Sequence, residues 1–188
     1  MHKGRLEAFS DGVIAILITI MILELKVPHG ADLADLAPLA SPFLSYLLSF
    51  IMVGIYWNSH HHLFQSVQHV DGKVLWANQH LLFWLSLIPF GTAWTGEKPF
   101  QPGPVAFFGV VLLMCGVAYH ILVRALIARH GRASAVGQAI GSDLKGNISL
   151  AMYAVAIGAS PWFPLISYAI YGLVALVWFI PDRRFERA

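Results

Sequence analysis

Six apolar segments, each of about the length of a membrane-crossing helix and separated by short polar connections, constrain this chain more than any single motif. A hydrocarbon core about 30 Å thick needs about 20 apolar residues in a helix, and the spacing predicts helices over about 5–27, 43–66, 73–95, 104–130, 144–160 and 163–181. These use nearly all of the 188 residues and leave no length for a soluble domain. The expected fold is therefore an all-α integral membrane protein, a single domain over 1–188 with six transmembrane helices per subunit. Hydrophobic residues at 57% and charged residues at 12% agree with that class. The fifth segment is the shortest, and Ser160-Pro161-Trp162-Phe163-Pro164 turns it directly into the sixth. Pro89 is the one proline well inside a segment and predicts a bend in the third helix.

Basic residues set the orientation, because cytoplasmic ends of membrane helices are enriched in Lys and Arg. With the amino terminus inside, Lys3, Arg5, Lys73, Arg124, Arg129, Arg132, Lys145, Arg183, Arg184 and Arg187 are inner, against Lys26 and Lys98 outside, ten to two. Both termini are then cytoplasmic, and the expected location is the cell membrane, as a multi-pass protein of a bacterial inner membrane. The first segment runs into Glu24-Leu25-Lys26 instead of a small-residue cleavage site, so it reads as a retained helix. Cys115, the single cysteine, falls mid-segment and reads as a small apolar packing residue. The lipid bilayer is the partner this composition implies; nothing in it points to nucleic acid.

The first helix carries the main functional signal. Arg5-Leu6-Glu7-Ala8-Phe9-Ser10-Asp11 places an ionisable cluster at the start of an apolar run, and charge at that depth needs a partner or water. One face of the helix reads Gly12, Ile16, Thr19 with Ile20, then Leu23. The stripe covers roughly 16 Å at 1.5 Å per residue. Such a stripe can pack as a core. Repeated about an axis, it can also form apolar rings that close a water path by dewetting, with Thr19 supplying a hydroxyl ring.

Arg5-x-x-x-Phe9-Ser10-Asp11, followed by Tyr56-Trp57-x-x-His60-His61-x-Leu63-Phe64, Asp71, Asn78 and Leu87-Ile88-Pro89-Phe90, resembles the signature of the transmembrane protein 175 family of potassium channels. The likeness covers the first half of the chain. It implies a potassium-permeable cation channel, a homotetramer with a central pore lined by helix one, and passive conduction through a hydrophobic gate. The pore constriction it implies is Ile16, Thr19, Ile20 and Leu23, with transient potassium near Thr19, no tightly bound metal and no cofactor. These positions coincide with the stripe that spacing alone picks out. No Thr-Val-Gly-Tyr-Gly filter occurs.

Ser10 and Asp11 need hydrogen-bond partners at their depth, for which Trp57, Asn58, His61, Asn78 and His80 are the candidates, with Arg5 closing the cluster or lying among lipid phosphates. A clamp holding helix one and a direct ion site are both open readings. Gly12 and Glu24 mark the two mouths; Glu24 either forms an acidic ring or pairs with Lys26 or Lys98. His60-His61-His62 does not suit a metal, because consecutive helical residues diverge by about 100°; a proton-responsive role fits histidine better. Serine-hydrolase, nucleotide-binding and zinc-protease motifs are absent from the sequence, so the expectation is a non-enzyme. The alternatives are a secondary transporter, a proton-permeable channel, or an intramembrane metalloenzyme built on the histidines.

Overall fold

The computed structural model describes residues 3–67, 69–140 and 143–179. Arg183, Arg184, Arg187 and the end of the sixth predicted helix lie outside the described residues. The chain forms α1 (Lys3–Ile22), a 3-10 helix (Leu33–Leu39), α2 (Ala40–Gln65), α3 (Gly72–Ser86), α4 (Ile88–Glu97), α5 (Pro102–His130), a short α6 (Ala135–Ile140), α7 (Leu144–Ala159) and α8 (Pro164–Phe179).

Two boundaries differ from the periodicity. Helix α1 stops at Ile22, short of residue 27, and closes through tight turns in which Leu23 N–H donates to Ile20 O at 3.0 Å and Leu25 N–H to Ile22 O at 3.1 Å. Leu23 and Glu24 therefore sit just beyond the helix. The third predicted helix is two helices, α3 and α4, parted at Leu87. Pro89 at the second position of α4 has no N–H to give and its ring cannot follow a continuous turn. The chain shifts to a three-residue bond, Leu87 N–H to Trp84 O at 3.2 Å, before α4 resumes.

Caps hold three of the other ends. Asp71 accepts the Val74 N–H at 3.0 Å and starts α3. Asp143 does the same for α7 through the Gly146 N–H at 3.2 Å. A Cβ at position 146 would come within 2.6 Å of that carboxylate, so glycine there lets the cap form. Gly131, at φ 88°, releases α5 through a left-handed residue.

Helix α5 is the hub, packed on α3, α4, α7 and α8, while α1 packs on α2, α3 and α4. Close approach at the hub depends on Gly109, where a Cβ would meet the Tyr171 phenol. That phenol donates to Val105 O at 3.1 Å. Between α2 and α4 the Thr92 hydroxyl lies 2.6 Å from Ser49 Oγ and 2.8 Å from Ile88 O, a small-polar contact of the kind that joins helices in lipid. Cys115 is buried in the same core.

By length and composition, residues 33–65 and 102–130 can each cross a membrane, and α7 and α8 are shorter apolar helices. Much of the outer surface is large and apolar, including Phe43, Leu44, Val155, Leu165, Leu176 and Phe179. A water-exposed surface of that kind is a liability; facing hydrocarbon, it costs nothing.

Candidate functional site: the open face of the first helix and its clamp

Helix α1 has two faces. Leu6, Ser10, Ile14, Leu17 and Met21, spaced four, four, three and four apart, are buried against the rest of the chain. The opposite face is open: Phe9 and Gly12 are exposed, Ile16 is 57% exposed, Ile20 42% and Leu23 77%, and Thr19 is exposed with them. Nothing lies within 4 Å of where a Cβ at Gly12 would sit. The stripe is therefore no part of this subunit's core. Thr19 Oγ1 donates to Ile16 O at 2.9 Å. With its hydrogen committed to the backbone, the hydroxyl presents lone pairs outward, the arrangement a cation needs.

The buried face is held by a directional chain of hydrogen bonds. Asn78 Nδ2 on α3 donates to Ser10 Oγ at 2.9 Å, and Ser10 Oγ donates to Leu6 O at 2.9 Å. Asn78 Oδ1 lies 2.8 Å from His60 Nε2 on α2. Because the amide oxygen only accepts, His60 carries its hydrogen on Nε2. Three helices thus meet through Ser10, Asn78 and His60, all buried. At the rim, Trp57 Nε1 donates to Asp11 Oδ1 at 3.0 Å.

Two of the expected partners lie elsewhere. His61 stacks on Trp57, rings 5.8 Å apart and inclined by 14°, and bonds to Gln65 at 2.9 Å. His80 accepts from Trp84 Nε1 at 2.9 Å within α3. Neither is bonded to Asp11: Trp57, one turn before His61 on the same face of α2, takes that carboxylate, and His80 is engaged by Trp84. Arg5 is exposed and lines a depression with Phe9, Trp76 and Gln79. Lys26 pairs with Glu97 at 3.8 Å, and Glu24 forms no ion pair among the described residues. Of the three consecutive histidines, His60 turns to Asn78, while His61 and His62 both reach Gln65 and His61 also stacks on Trp57.

Sequence reasoning passed over His60 as a clamp residue and used Lys3 only to set the orientation. Lys3 Nζ donates to Phe64 O at 2.8 Å, so the start of α1 caps the end of α2. Asp71 lies 3.9 Å from Arg129 Nε, which joins the start of α3 to the end of α5. The Val74 N–H, with a smaller contribution from Arg129, holds the Asp71 carboxyl below its ordinary range. A further cluster has no motif to announce it. His120 Nδ1 lies 3.2 Å from Asp143 Oδ2, beside a cavity of about 50 Å³ lined with Tyr56, Ser59, Tyr119 and Trp178. The cap spacing of Asp143 to Gly146 is its only trace in the sequence.

The family model described as the endosomal/lysosomal potassium channel TMEM175 matches residues 5–89. A potassium channel of Chryseobacterium is 54% identical over 188 residues, 100% of this chain and 98% of that one. The human endosomal/lysosomal proton channel TMEM175 is 33% identical over 114 residues, 54% of this chain and 23% of the human protein. Among solved structures, that of a lysosomal potassium-selective channel TMEM175 homolog from Chamaesiphon minutus superposes with a TM-score of 0.82 at 27% identity, covering 96% of this chain and 97% of that one. Such relatives are ion channels, not enzymes, and with the apolar helices they make this a membrane protein. Matched along its whole length by a potassium channel and through its first half by the family model, the chain belongs to the TMEM175 family of potassium channels.

Proposed function

We propose that the protein is a potassium-permeable cation channel in which four copies surround a pore lined by α1, ions moving passively down their gradient. In this reading the chain crosses the bilayer six times: α1, α2, α3 with α4, α5, α7 and α8 each make one crossing. Both termini are cytoplasmic, and the host membrane is a bacterial inner membrane. Ile16, Ile20 and Leu23 form apolar rings that close the path by dewetting, and Thr19 supplies the hydroxyl oxygens. Gly12 and Glu24 stand at the two mouths.

The observation that carries this reading is the open face of α1, where Ile16, Ile20 and Leu23 remain 57%, 42% and 77% exposed although the other face is buried. Lipid can cover a purely apolar face, but the exposed Thr19 hydroxyl within this one suits a water path better than hydrocarbon, and fourfold repetition brings that face to an axis. The Ser10–Asn78–His60 clamp fixes the rotation of α1 and so decides which side chains face the axis. Apolar rings cannot coordinate an ion, so preference among cations rests on the cost of dehydration and on Thr19.

A second reading, proton conduction beside potassium, is favoured by the name of the human relative and by the His60 imidazole adjoining the Asp11 end of α1. One experiment separates the two. Purified protein in a planar bilayer, with potassium on one side and sodium on the other, should give a current reversing toward the potassium potential. A reversal that follows a pH gradient instead assigns the current to protons, and flux that requires a second solute rejects both channel readings in favour of a transporter.

A further inference from the structure

Between α3 and α5 runs an open groove of about 500 Å³, with Lys73, Trp76 and His80 on one wall and Ile121 and Ala125 on the other. The three α3 residues are spaced three and four apart and share one helix face. Trp76 stands 79% exposed and Ile121 42% exposed. Neither residue belongs to the clamp or to the open face of α1.

The side-chain groups that this groove leaves for a ligand are all donors. Lys73 brings an ammonium and Trp76 an indole N–H. For His80 the tautomer follows from its neighbour: Trp84 Nε1 can only donate, and it donates to His80 Nε2 at 2.9 Å, so the neutral ring carries its hydrogen on Nδ1. No carboxylate lines the groove among the described residues. The nearby Asp71 is engaged by Val74 N–H and Arg129. Arg124, exposed and next to Ala125 in the chain, adds positive charge to the α5 side.

Depth orders these donors. Lys73 stands in the first turn of α3, and His80, seven residues on, lies about 10 Å further along the helix. The apolar wall of Ile121 and Ala125 faces them. A cation at the boundary, an interfacial indole and a deeper single donor match, in order, the phosphate, glycerol and acyl ester carbonyl of a phospholipid, and the aliphatic wall beside them suits its glycerol and first acyl carbons.

We infer that the α3–α5 groove binds one anionic glycerophospholipid per subunit, with Lys73 on the phosphate, His80 Nδ1–H on an ester carbonyl and Ile121 and Ala125 against the glycerol and the start of an acyl chain. The site rests on membrane embedding alone and stands whether or not α1 lines a pore. Its role is to tie α5, the packing hub, to α3, which carries the clamp residue Asn78.

The test uses the full chain, purified and equilibrated with equal amounts of phosphatidylglycerol and phosphatidylcholine, with bound lipid counted by native mass spectrometry. The wild-type chain should keep phosphatidylglycerol in preference. Lys73→Gln should lower that retention about fivefold, Lys73→Arg should restore it, and Lys98→Gln beyond α4 should leave it unchanged. His80→Phe should reduce retention of both lipids, since both carry ester carbonyls. Equal retention of the two lipids by the wild type, or no loss in Lys73→Gln, overturns the site. Displacement of the lipid by an equal concentration of inorganic phosphate would make this a plain anion site. Disulfide-linked pairs of Trp76→Cys chains would make the groove an interface between copies; each of these two results overturns the proposal as well.

Discussion

Asn78 donates its amide hydrogen to Ser10 Oγ at 2.9 Å in a setting closed to solvent, joining two helices 68 positions apart in sequence. The same amide receives His60 on its oxygen at 2.8 Å, so neither end of the group can be removed without stranding a buried partner.

Replacing Asn78 by Leu should therefore destabilise the fold by about 2–4 kcal/mol, since both His60 and Ser10 lose a partner inside the core. Trp57→Phe, which removes only the half-exposed bond to Asp11, should cost no more than about 1 kcal/mol. Thermal melting of the two variants in one detergent compares them directly; equal losses would mean that the buried chain is not what holds α1.

The two faces of α1 should respond oppositely to one substitution. Ile14 is 1% exposed and Ile16 57%, so Ile14→Asn should cost about 3 kcal/mol or more through an unpaired buried amide. Ile16→Asn should leave the subunit folded and, in the proposed pore, wet the constriction and raise leak current. Folding yield and bilayer conductance measure the two effects, and unchanged conductance in both Ile16→Asn and Leu23→Asn removes α1 from the pore.

Gly109 and Tyr171 should couple. A Cβ at 109 meets the Tyr171 phenol, so Gly109→Ala should destabilise by about 1–3 kcal/mol. Tyr171→Phe alone loses the bond to Val105 O, about 1 kcal/mol. The double variant should fall short of the sum, because the phenol oxygen that the added methyl strikes is gone. Strict additivity in a melting cycle would show that the two sites do not touch.

Asp71 gives a pH dependence with a definite sign. Its carboxyl is held low, first by the Val74 N–H, so the cap is fully present above the ordinary carboxylate pKa of about 4. The contribution fades as pH falls through the lowered value. Asp71→Asn keeps an acceptor at the cap and should flatten the acid limb of stability measured between about pH 5 and 3. Asp71→Ala should lower the melting temperature at neutral pH as well.

Much of the helical layout could be read from apolar length and proline position, and the stripe Gly12, Ile16, Thr19, Ile20, Leu23 from helical periodicity, because both are properties of a single segment. Proline at 89 signalled a bend, but whether the helix would curve or break depended on α4 having α2 to pack against, with Thr92 beside Ser49. The site was legible in kind, a polar cluster near Ser10 and Asp11, and incomplete in membership. His60, His61 and His80 are the same residue type within 21 positions, and nothing local distinguishes which imidazole turns toward Asn78.

The sequence by itself determined where apolar helices form, which end of α1 carries charge, and that one stripe of that helix is uniform enough to need a single environment. Only the tertiary structure decided that this stripe stays open while Ser10 is buried, that His60 and not His61 completes the clamp, and that Lys26 answers Glu97. The physical reason is one of phase. Secondary structure follows from interactions within a few residues, but a hydrogen-bond partner depends on the rotation of one helix against another, and a single residue's step of about 100° moves a side chain off the contact.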